Sequence, residues 1–251
     1  MKFTSIKTIS DTLIHCSKIE CPLRSEEPGE YPKPPAGPVK SEIVMIFENP
    51  GDPHGKNLQA EGNLECQFDI HSIALAQARK FKKQGQENWL FRTRGLNKGL
   101  WSKHEMVPGL NTYSTDSHKC FSRKGTKDSV KRAAIRCCLE YLSEEIRLVK
   151  PKVLMAFGDY ARDALGSLEG VYWVDVDGKR LCIRTRKKAK RLVKEQGRLY
   201  VLLPHPDGFW KRSRSESGDC KAMNKAEFEL ALDYCFKATR KWLRHPPKRR
   251  G

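Results

Sequence analysis

The sequence predicts an α/β protein, a three-layer α/β/α sandwich around a short, mostly parallel central sheet. Short apolar, β-branched runs recur at 43–47, 152–158 and 199–203, and turn-forming residues cut each of them off. Around these runs lie stretches whose apolar residues recur at three- and four-residue steps, the spacing of amphipathic helices. Strands that alternate with helices favour a mostly parallel sheet with helices packed on it.

The elements follow in chain order. Residues 1–24 read as a short amphipathic segment around Leu13 and Ile14, followed by Cys16 and Cys21. Residues 25–40 hold five prolines and two glycines, the composition of an extended connector. The run from Glu42 to Phe47 suits a buried strand, and Glu48-Asn49-Pro50-Gly51-Asp52-Pro53 ends it in turn-forming residues. Ile70, Ile73, Ala74, Ala78 and Phe81 predict a helix over 69–83. The clearest helix covers 129–149, through Val130, Ala134, Cys138, Tyr141, Leu142, Glu145 and Val149, and Pro151 stops it. A second buried strand follows at 152–158, then a helix through Ala161 and Leu165. Residues 171–184 read as a hairpin turning at Asp177-Gly178. A short strand at 199–203 ends at Pro204-His205-Pro206, and 224–243 form a last amphipathic helix. The expected organisation is a cysteine-bearing segment and Pro-rich connector over 1–40, an α/β domain over 41–243 and a basic tail over 244–251. No internal repeat is present.

Charge narrows the partner. The 251 residues carry 48 Lys plus Arg against 30 Asp plus Glu, a net +18, with a pI near 9.6 and a mean hydropathy of −0.65. Such an excess favours a polyanion, most simply nucleic acid. Residues 184–198 hold eight Lys/Arg and one acid, and residues 240–250 hold six and none. Both stretches fit either phosphate contact or a solvated surface. No apolar run approaches the eighteen residues of a membrane helix. Residues 1–10 lack an apolar leader core, so a cytoplasmic, nucleoid-associated monomer is expected. Nine cysteines, an odd number without a secretion signal, argue against a disulfide framework.

Three places carry chemistry. Glu48 and Asn49 follow a strand, where open α/β sheets bind their ligands. A carboxylate and an amide there can orient or deprotonate a water, although Asn-Pro-Gly is also ordinary turn chemistry. The stretch from Leu203 to Arg212 again follows a strand and joins His205, Phe209, Trp210, Lys211 and Arg212 on one loop. It fits a wedge and phosphate clamp for nucleic acid, although a lone His-Pro is often structural. Cys16, Cys21, Cys120 and Cys138 form the third. Four thiolates suit an iron–sulfur cluster or zinc, and buried free thiols are the alternative.

In this order the pieces resemble the uracil-DNA glycosylase superfamily, and most of all its iron–sulfur family 4 and family 5 branches. Cys21-Pro22-Leu23 is similar to the N-terminal motif of family 4, and Ile43 to Gly51 to the strand and turn of motif A. Lys119-Cys120, Cys138 to Leu142 and Lys150 to Ala161 follow the central block, and His205-Pro206 stands where motif B begins. The resemblance implies an enzyme, a monofunctional DNA-repair glycosylase that flips uracil or a related deaminated base from DNA and hydrolyses its N-glycosidic bond. It implies Glu48 as first choice for the water-activating group, with Asn49 beside it matching the Asn-Pro-Gly branches, and His205 against the base or a neighbouring phosphate. Phe68 would stack on the base and Asp116 read its edge. Lys211, Arg212 and Arg214 would contact DNA, with the loop from Asp207 to Arg212 entering the minor groove. Cys16, Cys21, Cys120 and Cys138 would hold a structural [4Fe–4S] cluster, with zinc as the alternative occupant and Cys137 as the competing helix ligand.

The chain departs from the pattern at three points. Phe47 replaces the motif A glycine, four residues rather than two separate Cys16 from Cys21, and Asp116 replaces the base-reading asparagine. An ionised Asp only accepts hydrogen bonds, so it suits cytosine's amino group or must be protonated to read uracil. A non-catalytic nucleic-acid-binding protein on the same fold is the second reading. A zinc nuclease or deaminase is disfavoured, because no His-x-Glu accompanies a Pro-Cys-x-x-Cys.

Overall fold

A computed structural model describes residues 2–16, 18, 20–25, 35, 37–48, 103–106, 111–120, 122, 125–171, 192–195, 197–203 and 225–245. The strands are β1 (Ile43–Phe47), β2 (Tyr113–Asp116), β3 (Val153–Phe157), β4 (Leu192–Glu195) and β5 (Arg198–Leu203). The helices are α1 (Ile6–Ile14), α2 (Pro22–Ser25), α3 (Asp128–Val149), α4 (Asp159–Glu169) and α5 (Lys225–Arg244). The five strands make one sheet in the order β2-β1-β3-β5-β4, parallel except for the antiparallel edge strand β4.

Alternation along the strands builds the three layers. Val44 and Ile46, Leu154 and Ala156, and Tyr200 and Leu202 face one side, into a core completed by α1, α3 and α4. Ile43 and Met45, Val153, Met155 and Phe157, and Leu199, Val201 and Leu203 face the other, against Leu232, Cys235, Phe236 and Trp242 of α5. Because both faces are covered, the strands read as continuous apolar runs rather than as alternating ones. The register aligns Tyr113, Val44, Leu154 and Tyr200 in one row across the sheet.

Two strands carry no such run. In β2, Tyr-Ser-Thr-Asp is polar at three of four positions, yet all four residues are buried. β4 lies inside the basic stretch expected as a loop or phosphate contact, and it pairs back on β5 through a turn in which Gly197 takes φ +73°. The helix expected over 69–83 and the hairpin expected over 171–184, past its first residue, lie outside the described residues.

The N-terminal segment joins the main core rather than standing apart. Phe3, Ile6, Ile9 and Leu13 pack with Tyr141, Leu142 and Ile146. The Phe3 amide donates to Glu144 Oε2 at 2.8 Å, and Arg147 bonds both Glu144, at 2.7 Å, and the Phe3 carbonyl, at 2.6 Å. Arg147 and the Phe3 amide hold the Glu144 acid at about 2, below its ordinary 4.5. A carboxyl held low in the folded state stabilises it above the ordinary value, and that contribution fades as pH falls from 4.5 toward 2. Protection of the amides over residues 3–13, measured against their intrinsic exchange rates, should therefore fall in that window. Glu144→Gln should show lower protection already at pH 7, and that protection should depend little on pH in this window.

Candidate active site

Because β1, β2, β3 and β5 run parallel, their carboxyl ends meet at one edge of the sheet. Phe47 pairs with Asp116, and Phe157 with Leu203. Glu48, the segment after Asp116 and the start of α4 therefore converge where an open α/β sheet receives its ligand.

Glu48 turns its carboxylate onto the first turn of α4. Its Oε1 accepts from the Asp159 amide and, at 3.2 Å, from the Tyr160 amide. These are two of the donors that a helix start leaves without intrahelical partners. Gly158, the N-cap, has no side chain with which to serve them. Gly158 takes φ +96°, and a Cβ built on it would overlap Oε1, Cδ and Cγ of Glu48. Glycine is thus required twice over, by backbone conformation and by the approach of the carboxylate. The Gly158 amide donates to the Leu203 carbonyl at 2.7 Å, tying the start of α4 to the end of β5.

Ser117 secures the other side of the turn. Its amide donates to the Phe47 carbonyl at 2.7 Å and its hydroxyl to the Glu48 carbonyl at 2.8 Å. Phe47, where the resemblance expects glycine, stacks on Phe157 with ring centroids 4.9 Å apart. Asp116 is buried beside it at the end of β2. His118 is buried too, 3.5 Å from Ser117 Oγ, 3.4 Å from Ser122 Oγ and edge-on to Tyr160. Burial, with the charges of Lys131 and Lys119, pushes its pKa down to about 3, so it is neutral at pH 7. Tyr160 donates to Asp128 and lies under Lys131 and Arg132, 5.4 and 5.6 Å from its ring centroid.

The thiols gather at a separate place. Cys21 and Cys120 share a buried cluster with Leu23 and Ala134, flanked by Val130 and Cys137. Cys16 lies by the Tyr141 hydroxyl and Cys21 by Cys137, whose thiol donates to the Glu20 carbonyl at 3.7 Å. Cys138 is pushed up to about 12 by burial. Cys21 and Cys16 push in the same direction, while the Lys119 amide and charge pull back. Lys18 staples the N-terminal pair to α3: it donates to the Cys137 carbonyl at 2.7 Å, pairs with Glu140 and sits 4.8 Å over the Tyr141 ring. Helix phase separates the two neighbours, for Cys138 is buried and Cys137 only half-buried. As placed, no three His, Cys, Asp or Glu side chains among the described residues meet as a metal site.

The structure thus brings Glu48 and Asp116 to one edge, and Cys16, Cys21, Cys120 and Cys138 to another place in the fold. Asn49, Phe68, His205, Lys211, Arg212 and Arg214 lie outside the described residues. Sequence reasoning passed over Ser117, Gly158 and Tyr160. A glycine directly after the β3 run and before a helix was the one local signal for Gly158. No helix among the described residues is long and apolar enough to cross a membrane. The family model of the uracil DNA glycosylase superfamily matches residues 34–234. No curated protein matches the chain.

Proposed function

The chain belongs to the uracil DNA glycosylase superfamily, and on that premise we propose that it is a DNA-repair glycosylase, monofunctional and acting on a deaminated base flipped out of DNA. One observation carries this reading: two acidic residues, Glu48 and Asp116, stand at adjoining strand ends on the ligand-binding edge of the sheet. Water adds to the sugar C1′ as the C1′–N bond breaks, and the bonding electron pair leaves with the base. The polar pair Glu48-Asn49 serves the water side of that reaction, and a carboxylate there also favours an oxocarbenium-like sugar. Asp116 reads the base edge and His205 stabilises the departing base. Phe68 stacks on the base, and Lys211, Arg212 and Arg214 hold the DNA backbone. The net +18 suits a polyanionic substrate. The test is release of a free base from oligonucleotides carrying uracil, hypoxanthine, xanthine or mispaired normal bases.

Cys16, Cys21, Cys120 and Cys138 hold a structural [4Fe–4S] cluster in this proposal. Four buried thiols drawn from three separated segments match the all-cysteine ligation of such clusters. The cluster would tie the N-terminal segment, the loop after β2 and α3 together, and it takes no part in the bond cleavage. Protein purified without oxygen should be brown and carry about four irons per chain. Colourless protein with stoichiometric zinc overturns the iron assignment.

A further inference from the structure

We propose that Cys137 and Cys21 are a thiol pair that closes into a disulfide when a peroxide reaches a chain whose Cys21 holds no metal. The inference goes beyond the glycosylase reading and does not rest on it. Cys137 is the thiol that the proposed cluster leaves unused. It packs against the buried group of Cys21, Leu23, Cys120 and Ala134 and lies by the Cys21 thiol. Three hydrogen bonds keep the two residues together. The Cys137 thiol donates to the Glu20 carbonyl, one peptide bond before Cys21, at 3.7 Å. Lys18 Nζ donates to the Cys137 carbonyl at 2.7 Å, and the Cys21 amide donates to the Lys18 carbonyl at 3.1 Å. Side chain and backbone of Cys137 are thus both held by the few residues that end in Cys21.

Exposure sets the two thiols apart. Cys21 is 3 % exposed, whereas Cys137 is half-buried, so a peroxide meets Cys137 first. The Cys137 sulfur takes one oxygen of hydrogen peroxide and becomes a sulfenic acid, as the O–O bond breaks and a water leaves. The Cys21 sulfur then attacks the Cys137 sulfur. The S–S bond forms, the S–OH bond breaks, and the hydroxyl leaves with the Cys21 proton as a second water. The two thiols have lost two electrons and two protons, and one peroxide has become two waters. The first step is slow, because burial, with Cys21 and Glu20 beside it, raises the Cys137 thiol. The product is decided by the second step, which runs between neighbours already in place. Capture by Cys21 therefore precedes the further peroxide that would carry Cys137 to sulfinic acid. The bond ties the N-terminal segment to α3 and keeps Cys21, a proposed cluster ligand, in a form that thiol exchange restores.

Peptide mapping tests the pair. Full-length protein purified without oxygen is titrated with hydrogen peroxide until thiols are lost, then alkylated and digested with trypsin without reductant. Cleavage after Lys18, Arg24, Arg136 and Arg147 puts Cys21 in peptide 19–24, and Cys137 with Cys138 in peptide 137–147. The first oxidised form of Cys21 should be these two peptides linked, two hydrogens lighter than their sum, and dithiothreitol should separate them. Fragmentation between Cys137 and Cys138 should place the bond on Cys137. Cys137→Ser should abolish the link and leave Cys21 to reach sulfinic acid. A first oxidised form of Cys21 that is sulfinic acid in the parent, or that is bonded to any other cysteine, overturns the proposal. So does a Cys137 that oxidises while Cys21 stays a free thiol. Should Cys137→Ser fail to fold, the map of the parent decides by itself. Base release enters none of these readouts, so failure of the glycosylase reading leaves the result standing.

Discussion

Lys119→Met should destabilise the protein by about 3–5 kcal/mol, the penalty for leaving one partner of a buried ion pair without the other. Lys119 and Glu145 are 1 % and 0 % exposed, with Nζ 2.8 Å from Oε1. Lys119 has a further partner, for Nζ also donates to Thr115 Oγ1. Among the described residues, Glu145 has no aligned hydrogen bond, and the nearby Tyr113 hydroxyl, buried on β2, also has none. Burial and the Glu145 charge push the Tyr113 hydroxyl well above its ordinary acidity range, so it stays a neutral phenol. Among the described residues, the carboxylate thus depends on one ammonium. Replacing both partners with Met should recover most of the loss, because a packed apolar pair avoids the desolvation of two ions. Urea unfolding of the two variants checks this: a single variant costing under about 1 kcal/mol, or a double variant costing as much as the single, contradicts it.

Asn49→Ala should slow base release by about 10²–10⁴-fold, the usual cost of removing a positioned group that handles a proton or a water. Asn49 follows Glu48 in the polar pair that serves the water in the proposed reaction. DNA affinity should change little, since phosphate contacts and not the strand end dominate it. Single-turnover rates and anisotropy titrations on the same oligonucleotide separate the two quantities. A rate within a few-fold of the parent, with Glu48→Gln strongly impaired, would leave the water to Glu48 alone.

Local pattern revealed the fold wherever burial on both faces left an apolar signature. β1, β3 and β5 are mostly apolar runs followed by Glu48-Asn49-Pro50, Gly158 and Pro204, so their positions were legible. The long helix α3 was legible from its spacing, and its stop from Pro151, before which Lys150 takes the left-handed conformation. β2 was not legible, because Ser114, Thr115 and Asp116 are polar residues buried by their surroundings rather than by their own hydrophobicity. β4 was hidden by the lysines and arginines around Leu192 and Val193. At the site, the strand end marked Glu48, but its hold on Asp159 and Tyr160 joins residues more than a hundred positions apart, and no local spacing encodes that. The same limit applied to Lys119 and Glu145. Cys138 is buried on the α3 face that carries Ala134 and Tyr141, whereas its neighbour Cys137 is half-buried.

The measurement that bears most directly on the glycosylase reading is mass analysis of an oligonucleotide after incubation with the full-length protein. The panel carries uracil, hypoxanthine, xanthine or a mispaired normal base, and Asp116→Asn is run beside the parent. The account predicts loss of one base and gain of one water, leaving an abasic site in an unbroken strand. It also predicts a shift of preference toward uracil in Asp116→Asn, because an amide both donates to and accepts from that base. Folded protein that binds the oligonucleotides, yet releases no base from any of them in either form, would contradict it.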